Sequence, residues 1–207
     1  MMHDLAFIET QLQSPSLKRR TDFIATYDFP EQYNAFYRDY IRRNLQNPPR
    51  DSWFLIALIE LAEDIHFFEP DIPTLLWQLY DSRRTAVYLK LTVLDYFLAY
   101  PVVSGESAEW EKNYRKRLQK ATNELIKCQL LVNLLKINLL KEPYWHKLLT
   151  VVGRTSDYRV IIRTLNSLQK LPDLLPIHRK NLTAVVRENP LSQFRAVTDA
   201  LLKFEAY

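Results

Sequence analysis

Glycine is nearly absent: Gly105 and Gly153 are the two in 207 residues. Rossmann and P-loop sites need several closely spaced glycines, because the backbone itself must approach a phosphate, so both are excluded. Two glycines also leave a β-rich chain of this length short of the positive-φ turns its hairpins require. Cysteine is scarcer still. Cys128 alone can neither close an intrachain disulfide nor assemble a cysteine-based zinc site. It points to a reducing, cytoplasmic setting, a secreted chain without disulfides being the alternative. Long apolar runs are missing too: the strongest, Trp53 to Ile59, is stopped by Glu60, far short of a bilayer span. The opening residues Met1-Met2-His3-Asp4 lack the basic-then-apolar pattern of a signal peptide. No membrane is expected as a partner.

What remains is an ordinary folding composition. With 47% hydrophobic and 25% charged residues, the chain buries enough apolar surface to exclude disorder. A breaker or capping residue followed by an apolar-periodic segment recurs at Pro15, Arg50, Arg84, Thr122, Ser156 and Pro190, at intervals of 34 to 38 residues. That period holds two short antiparallel helices. The 3.6 periodicity and its punctuation predict twelve helices, near 4–13, 15–27, 31–45, 51–67, 72–81, 84–99, 107–120, 122–140, 143–153, 157–170, 173–188 and 191–205. Pro15 is placed to open the second of them. The segments around Trp53–Ile59 and Leu130–Leu135 are apolar nearly all round and are expected between neighbours. The terminal helices keep a polar side, as the ends of stacked arrays must.

The second helices of the last two hairpins share a register. Tyr158-Arg159-Val160-Ile161-Ile162-Arg163-Thr164-Leu165 overlays Phe194-Arg195-Ala196-Val197-Thr198-Asp199-Ala200-Leu201, with an aromatic, an aliphatic and a leucine expected along one buried stripe. Val87, Lys90-Leu91, Leu94 and Phe97 repeat the theme in the third hairpin. Ser156-Asp157-Tyr158-Arg159 and Ser192-Gln193-Phe194-Arg195 resemble the second helix of HEAT-type repeats, most clearly over the last third of the chain. The resemblance implies an all-α fold: a right-handed α-α superhelix, or HEAT-like solenoid, of about six helical hairpins forming one domain over 1–207. It brings no catalytic residues and no cofactor. The tetratricopeptide alternative expects Trp-x-x-Leu-Gly-x-x-Tyr, which is not present.

Chemistry-bearing groups are few. Glu60, Glu63, Asp64 and His66 share one predicted helix, and Glu63-x-x-His66 has the spacing of a di-iron ligand pair. Such sites need a second copy, which the chain lacks, so an acidic solvated edge is the favoured reading. His146 and His178 read as surface or helix-end histidines, and Cys128, among Ile126, Leu130 and Leu131, as a packed thiol. From Tyr33 to Arg43, Phe36, Tyr37 and Tyr40 interleave with Arg38, Arg42 and Arg43. A nucleic-acid reader uses such a mixture; helical spacing of the rings favours packing instead.

Charge is unevenly placed. Residues 1–103 carry 10 Lys/Arg against 14 Asp/Glu, and residues 104–207 carry 18 against 10. On the helix from Asp157, the positions outside the buried stripe are Arg159, Arg163, Asn166 and Lys170; Arg195, Lys203 and Lys90 hold comparable places in other hairpins. In HEAT-like hairpins the second helices usually line the concave side, which makes these residues a candidate basic ladder. A solvated face, or arginines bonded between repeats, is the competing account. The expected function is a non-catalytic protein-interaction module, such as a scaffold, adaptor or inhibitor, that receives an acidic surface or segment. The alternative is a nucleic-acid-binding protein of the HEAT-like DNA glycosylase kind, for which Asp199 is the carboxylate to nominate.

Overall fold

The computed structural model describes residues 4–82, 85–102, 105–171 and 173–206, and every regular element among them is helical. The repeat start expected at Arg84 and the breaker at Pro172 lie outside the described residues. Two compact units are present, Met1–Tyr100 and Pro101–Tyr207. Their boundary coincides with the change in charge, since residues 101–103 carry none.

The first unit holds α1 (Leu5–Leu12), α2 (Leu17–Thr26), α3 (Asn34–Gln46), α4 (Ser52–Asp64), α5 (Ile72–Asp81) and α6 (Val87–Ala99). The second holds α7 (Ser107–Lys120), α8 (Glu124–Ile137), α9 (Glu142–Arg154), α10 (Tyr158–Gln169), α11 (Pro176–Glu188) and α12 (Arg195–Ala206). All twelve fall where the periodicity places them. In each unit the second helices of successive hairpins lie side by side, α2 on α4 on α6 and α8 on α10 on α12. First helices form the other layer, with α3 beside α5 and α9 beside α11. The arrangement is repeat-like.

Helix starts follow local chemistry. The second helices α2, α4, α8 and α10 are opened by Ser16, Asp51, Asn123 and Asp157, whose side chains accept from backbone N–H groups of the first turn. These bonds satisfy donors that a helix cannot pair internally. The first helices α5, α9 and α11 instead start on Pro73, Pro143 and Pro176, where proline's missing N–H costs nothing. Pro15 does not open α2; it precedes the Ser16 cap. With so little glycine, α4 is closed by His66, just past its end, which takes the left-handed conformation (φ 52°) while Phe67 N–H bonds to the Ala62 carbonyl. That closure ordinarily uses glycine. Gly153 serves a different need: a Cβ there would lie 3.1 Å from Val185 Cγ1, so its absence lets α9 approach α11.

The two helices expected between neighbours are so placed. In α4, Phe54, Leu55, Leu58, Ile59 and Leu61 are buried beneath α2, α3 and α6. In α8 every residue from Cys128 to Leu135 is buried. Trp53 departs from the pattern, standing 69% exposed at the start of α4. The aromatics heading the repeated stripe depart too. Ile161, Leu165 and Leu168 in α10, and Val197, Leu201 and Phe204 in α12, are buried, but Tyr158 and Phe194 are 44% and 51% exposed. They sit at the very start of their helices, beyond the packed turns, and stack on each other with ring centroids 6.2 Å apart.

Candidate functional site

The basic residues singled out on the second helices divide into three groups. Arg159, Asn166 and Lys170 project from α10 as exposed side chains. Arg159 folds back on its own helix cap, with Nε 2.9 Å and Nη2 2.8 Å from the two Asp157 carboxylate oxygens. That guanidinium holds the Asp157 carboxyl below its ordinary range. Arg163 is half-buried and donates from Nε to Gln129 Oε1 of α8 at 3.2 Å, an oxygen that also accepts from Ser167 Oγ at 2.9 Å. Arg163 thus ties adjacent repeats together, which is the structural role foreseen for some of these arginines.

On α12, Arg195 and Lys203 are exposed, but the register also brings Asp199 to the place Arg163 holds on α10. Arg195 Nε lies 3.8 Å from Asp199 Oδ2. The face is therefore a basic surface whose two arginines each stand against a carboxylate, Asp157 and Asp199, and it is flanked by exposed Leu202. Lys90 belongs to α6 of the first unit, where its Nζ lies 5.1 Å from the centre of the Tyr80 ring.

Beside Gln129 and Asn133 on the same side of α8 comes Lys136, whose ammonium is pulled down to about 8 by burial. Its folded pKa lies below the unfolded one, so between about pH 8 and the ordinary lysine range the unfolded chain binds more protons there. Stability should then rise with pH across that window, the penalty being full below it. Lys136→Met is expected to stabilise the protein at pH 7 and to gain progressively less as denaturation is followed towards pH 10. A gain independent of pH would contradict this.

A second surface was not anticipated. Between α7 and α9, above α8, lies a cavity of about 520 Å³ lined by Arg115, Leu118, Gln119, Lys127, Leu131, Tyr144, His146, Lys147, Thr150 and Val151. One end is stapled by Glu111 of α7, which accepts from Lys141 Nζ and from Tyr144 Oη, each at 2.5 Å. Those two donors hold the Glu111 carboxyl below its usual range. The basic run from Lys112 to Lys120 was visible in the sequence. Which of its members border a cleft depends on where α9 lies.

Other candidates resolve into structure. His66 lies past the end of α4 in a left-handed turn, its Nδ1 3.1 Å from the Glu63 carbonyl oxygen, so it does not share a helix face with the Glu63 carboxylate. His178 is buried, not superficial, and stacks on Trp145 at 4.3 Å. From the aromatic-basic stretch, Tyr37 and Tyr40 are buried, Tyr40 donates to the Leu12 carbonyl at 3.1 Å, and Arg42 is ion-paired with Glu69 and Asp71. Those rings pack; they present no stacking platform. Burial pushes the Cys128 thiol up to about 12, as an inert packed cysteine requires. Among the described residues, no group of three or more His, Cys, Asp or Glu side chains is arranged to hold a metal ion. No helix among them is long and apolar enough to cross a membrane.

No protein-family model, curated protein or solved structure matches the chain.

Proposed function

We propose that this protein is a non-catalytic interaction module whose second unit receives an acidic surface or segment of a protein partner. One observation supports the reading most. Adjacent helices α10 and α12 expose Arg159 and Arg195 at their starts, by the exposed Tyr158–Phe194 pair, and Lys170 and Lys203 towards their other ends, in the unit that carries 18 basic against 10 acidic residues. Aromatic and arginine side chains together are enriched where protein partners bind tightly. Long-range attraction from the excess charge would speed encounter with an acidic partner. Asn166 fits as a neutral hydrogen-bonding neighbour on the same face. Arg163 contributes indirectly, by holding α10 against α8.

Charge reversal at Arg159 and Lys170 together is the direct test, because both side chains are exposed. The variant is expected to keep the native melting profile and to lose the proteins that copurify with the wild-type chain from native lysate. Full retention of those proteins would sink the reading.

The exposed ring pair beside two arginines also suits single-stranded nucleic acid, where bases stack on aromatics. Asp199 does not strengthen a base-excision role, since its side chain is 58% exposed beside Arg195, unlike a desolvated catalytic carboxylate. Labelled oligonucleotides decide between the two: binding with a steep salt dependence would replace the protein-partner reading.

A further inference from the structure

We infer that the cleft between α7 and α9 is a docking groove for a helical, acidic segment of a partner protein, anchored by apolar side chains. Its floor is aliphatic, built from Leu118 of α7, Leu131 of α8 and Val151 of α9. Its rim is cationic, with Arg115, Lys127 and Lys147 coming from the same three helices; the nearby carboxylate, Glu111, is held at one end by Lys141 and Tyr144 and lies 4.0 Å from Arg115. Charge at the edges and apolar surface in the middle match a segment that carries carboxylates on either side of an apolar stripe. Covering these cations with a neutral surface would remove their hydration without a replacement, which is costly.

The shape agrees with that occupant. The lining on α9 runs from Tyr144 to Val151, two helical turns or about 10 Å. A helix laid along such a groove inserts side chains at positions i, i+3 or i+4, and i+7, over the same length. The volume is within the range that accepts a few apolar side chains or a compact ligand. A nucleic acid fits less well, because the floor is aliphatic and the Tyr144 ring that joins it is 6% exposed with its hydroxyl held by Glu111, leaving little aromatic surface for a base to stack on. The groove lies on the first-helix side of the unit, so the inference stands independently of the α10–α12 face.

Three synthetic helical peptides test it against the full chain by fluorescence anisotropy: one with leucines along one face and glutamates flanking them, one with lysine for every glutamate, and one with alanine for every leucine. The first should bind, and the other two should bind at least about tenfold more weakly. Combined Arg115→Glu and Lys147→Glu should weaken the first by about tenfold or more, while the same charge change made by Lys18→Glu with Arg19→Glu, at exposed residues of α2, should leave it unchanged. Methyl signals of Leu118, Leu131 and Val151 should shift on titration. Equal binding of all three peptides, no binding of the acidic one at millimolar concentration, or wild-type affinity in the groove variant would each overturn the inference. So would a concentration-dependent dimer in sedimentation that Leu118→Glu abolishes, since the groove would then belong to a second copy.

Discussion

Replacing Asn189 with alanine is expected to destabilise the second unit by about 2–4 kcal/mol, far more than an asparagine in a turn ordinarily commands. The side chain is 2% exposed. Its Nδ2 donates to the carbonyls of Val152, Gly153 and Thr155 at 3.0, 3.3 and 3.2 Å. These are oxygens at the C-terminal end of α9, which the helix itself leaves without partners. Its Oδ1 accepts from Leu191 N–H at 2.8 Å and so opens the short 3-10 helix Pro190–Gln193. One residue therefore closes a helix and starts the next element. Alanine would strand several buried carbonyls at once, each costing about 1–3 kcal/mol if water cannot reach it. Asn189→Asp should be worse than alanine, because it sets a carboxylate against those same oxygens. Urea denaturation followed by circular dichroism measures both, and a midpoint within error of wild type for the alanine variant would refute the account.

Trp145→Ala carries the other large expected effect, a loss of about 3–5 kcal/mol. The indole is 2% exposed. Its N–H donates to the Leu139 carbonyl at 2.7 Å, and its face stacks on the His178 ring at 4.3 Å with the planes 9° apart. Truncation would open a cavity at the junction of α9 with α11 and orphan a carbonyl in the loop before α9. Trp145→Phe keeps most of the apolar volume and should cost clearly less, losing mainly the hydrogen bond and part of the stack. If both variants denature alike, the cost lies in the shared loss of the N–H and not in packing. A double-mutant cycle with His178→Ala would then report the ring-ring coupling, expected at about 0.5–1.5 kcal/mol.

Neither residue announces itself along the chain. Asn189 reads as the start of an Asn-Pro turn, and nothing local says that it reaches a helix end 34 to 37 residues earlier. His178 beside Arg179 and Lys180 looks like a solvated helix start, yet the packing of α11 on α9 buries it. The basic ladder was half legible. Exposure of Arg159, Asn166, Lys170, Arg195 and Lys203 follows from the 3.6 periodicity, because residues opposite an apolar stripe face water. That Arg163 turns to Gln129 does not follow, since its partner lies on another helix. The groove bordered by Arg115, Lys127 and Lys147 was not legible at all.

Helix number, helix starts and the two enclosed helices were determined by the amino-acid sequence alone. They depend on interactions within about one turn, or on the mere count of apolar positions around a helix, and both are written in consecutive residues. Tertiary structure decided which polar groups bond across repeats, which aromatics remain exposed at helix ends, and where two first helices leave a cleft. Those outcomes depend on the offset and separation of neighbouring helices, which emerge only when side chains far apart in the chain are packed against each other.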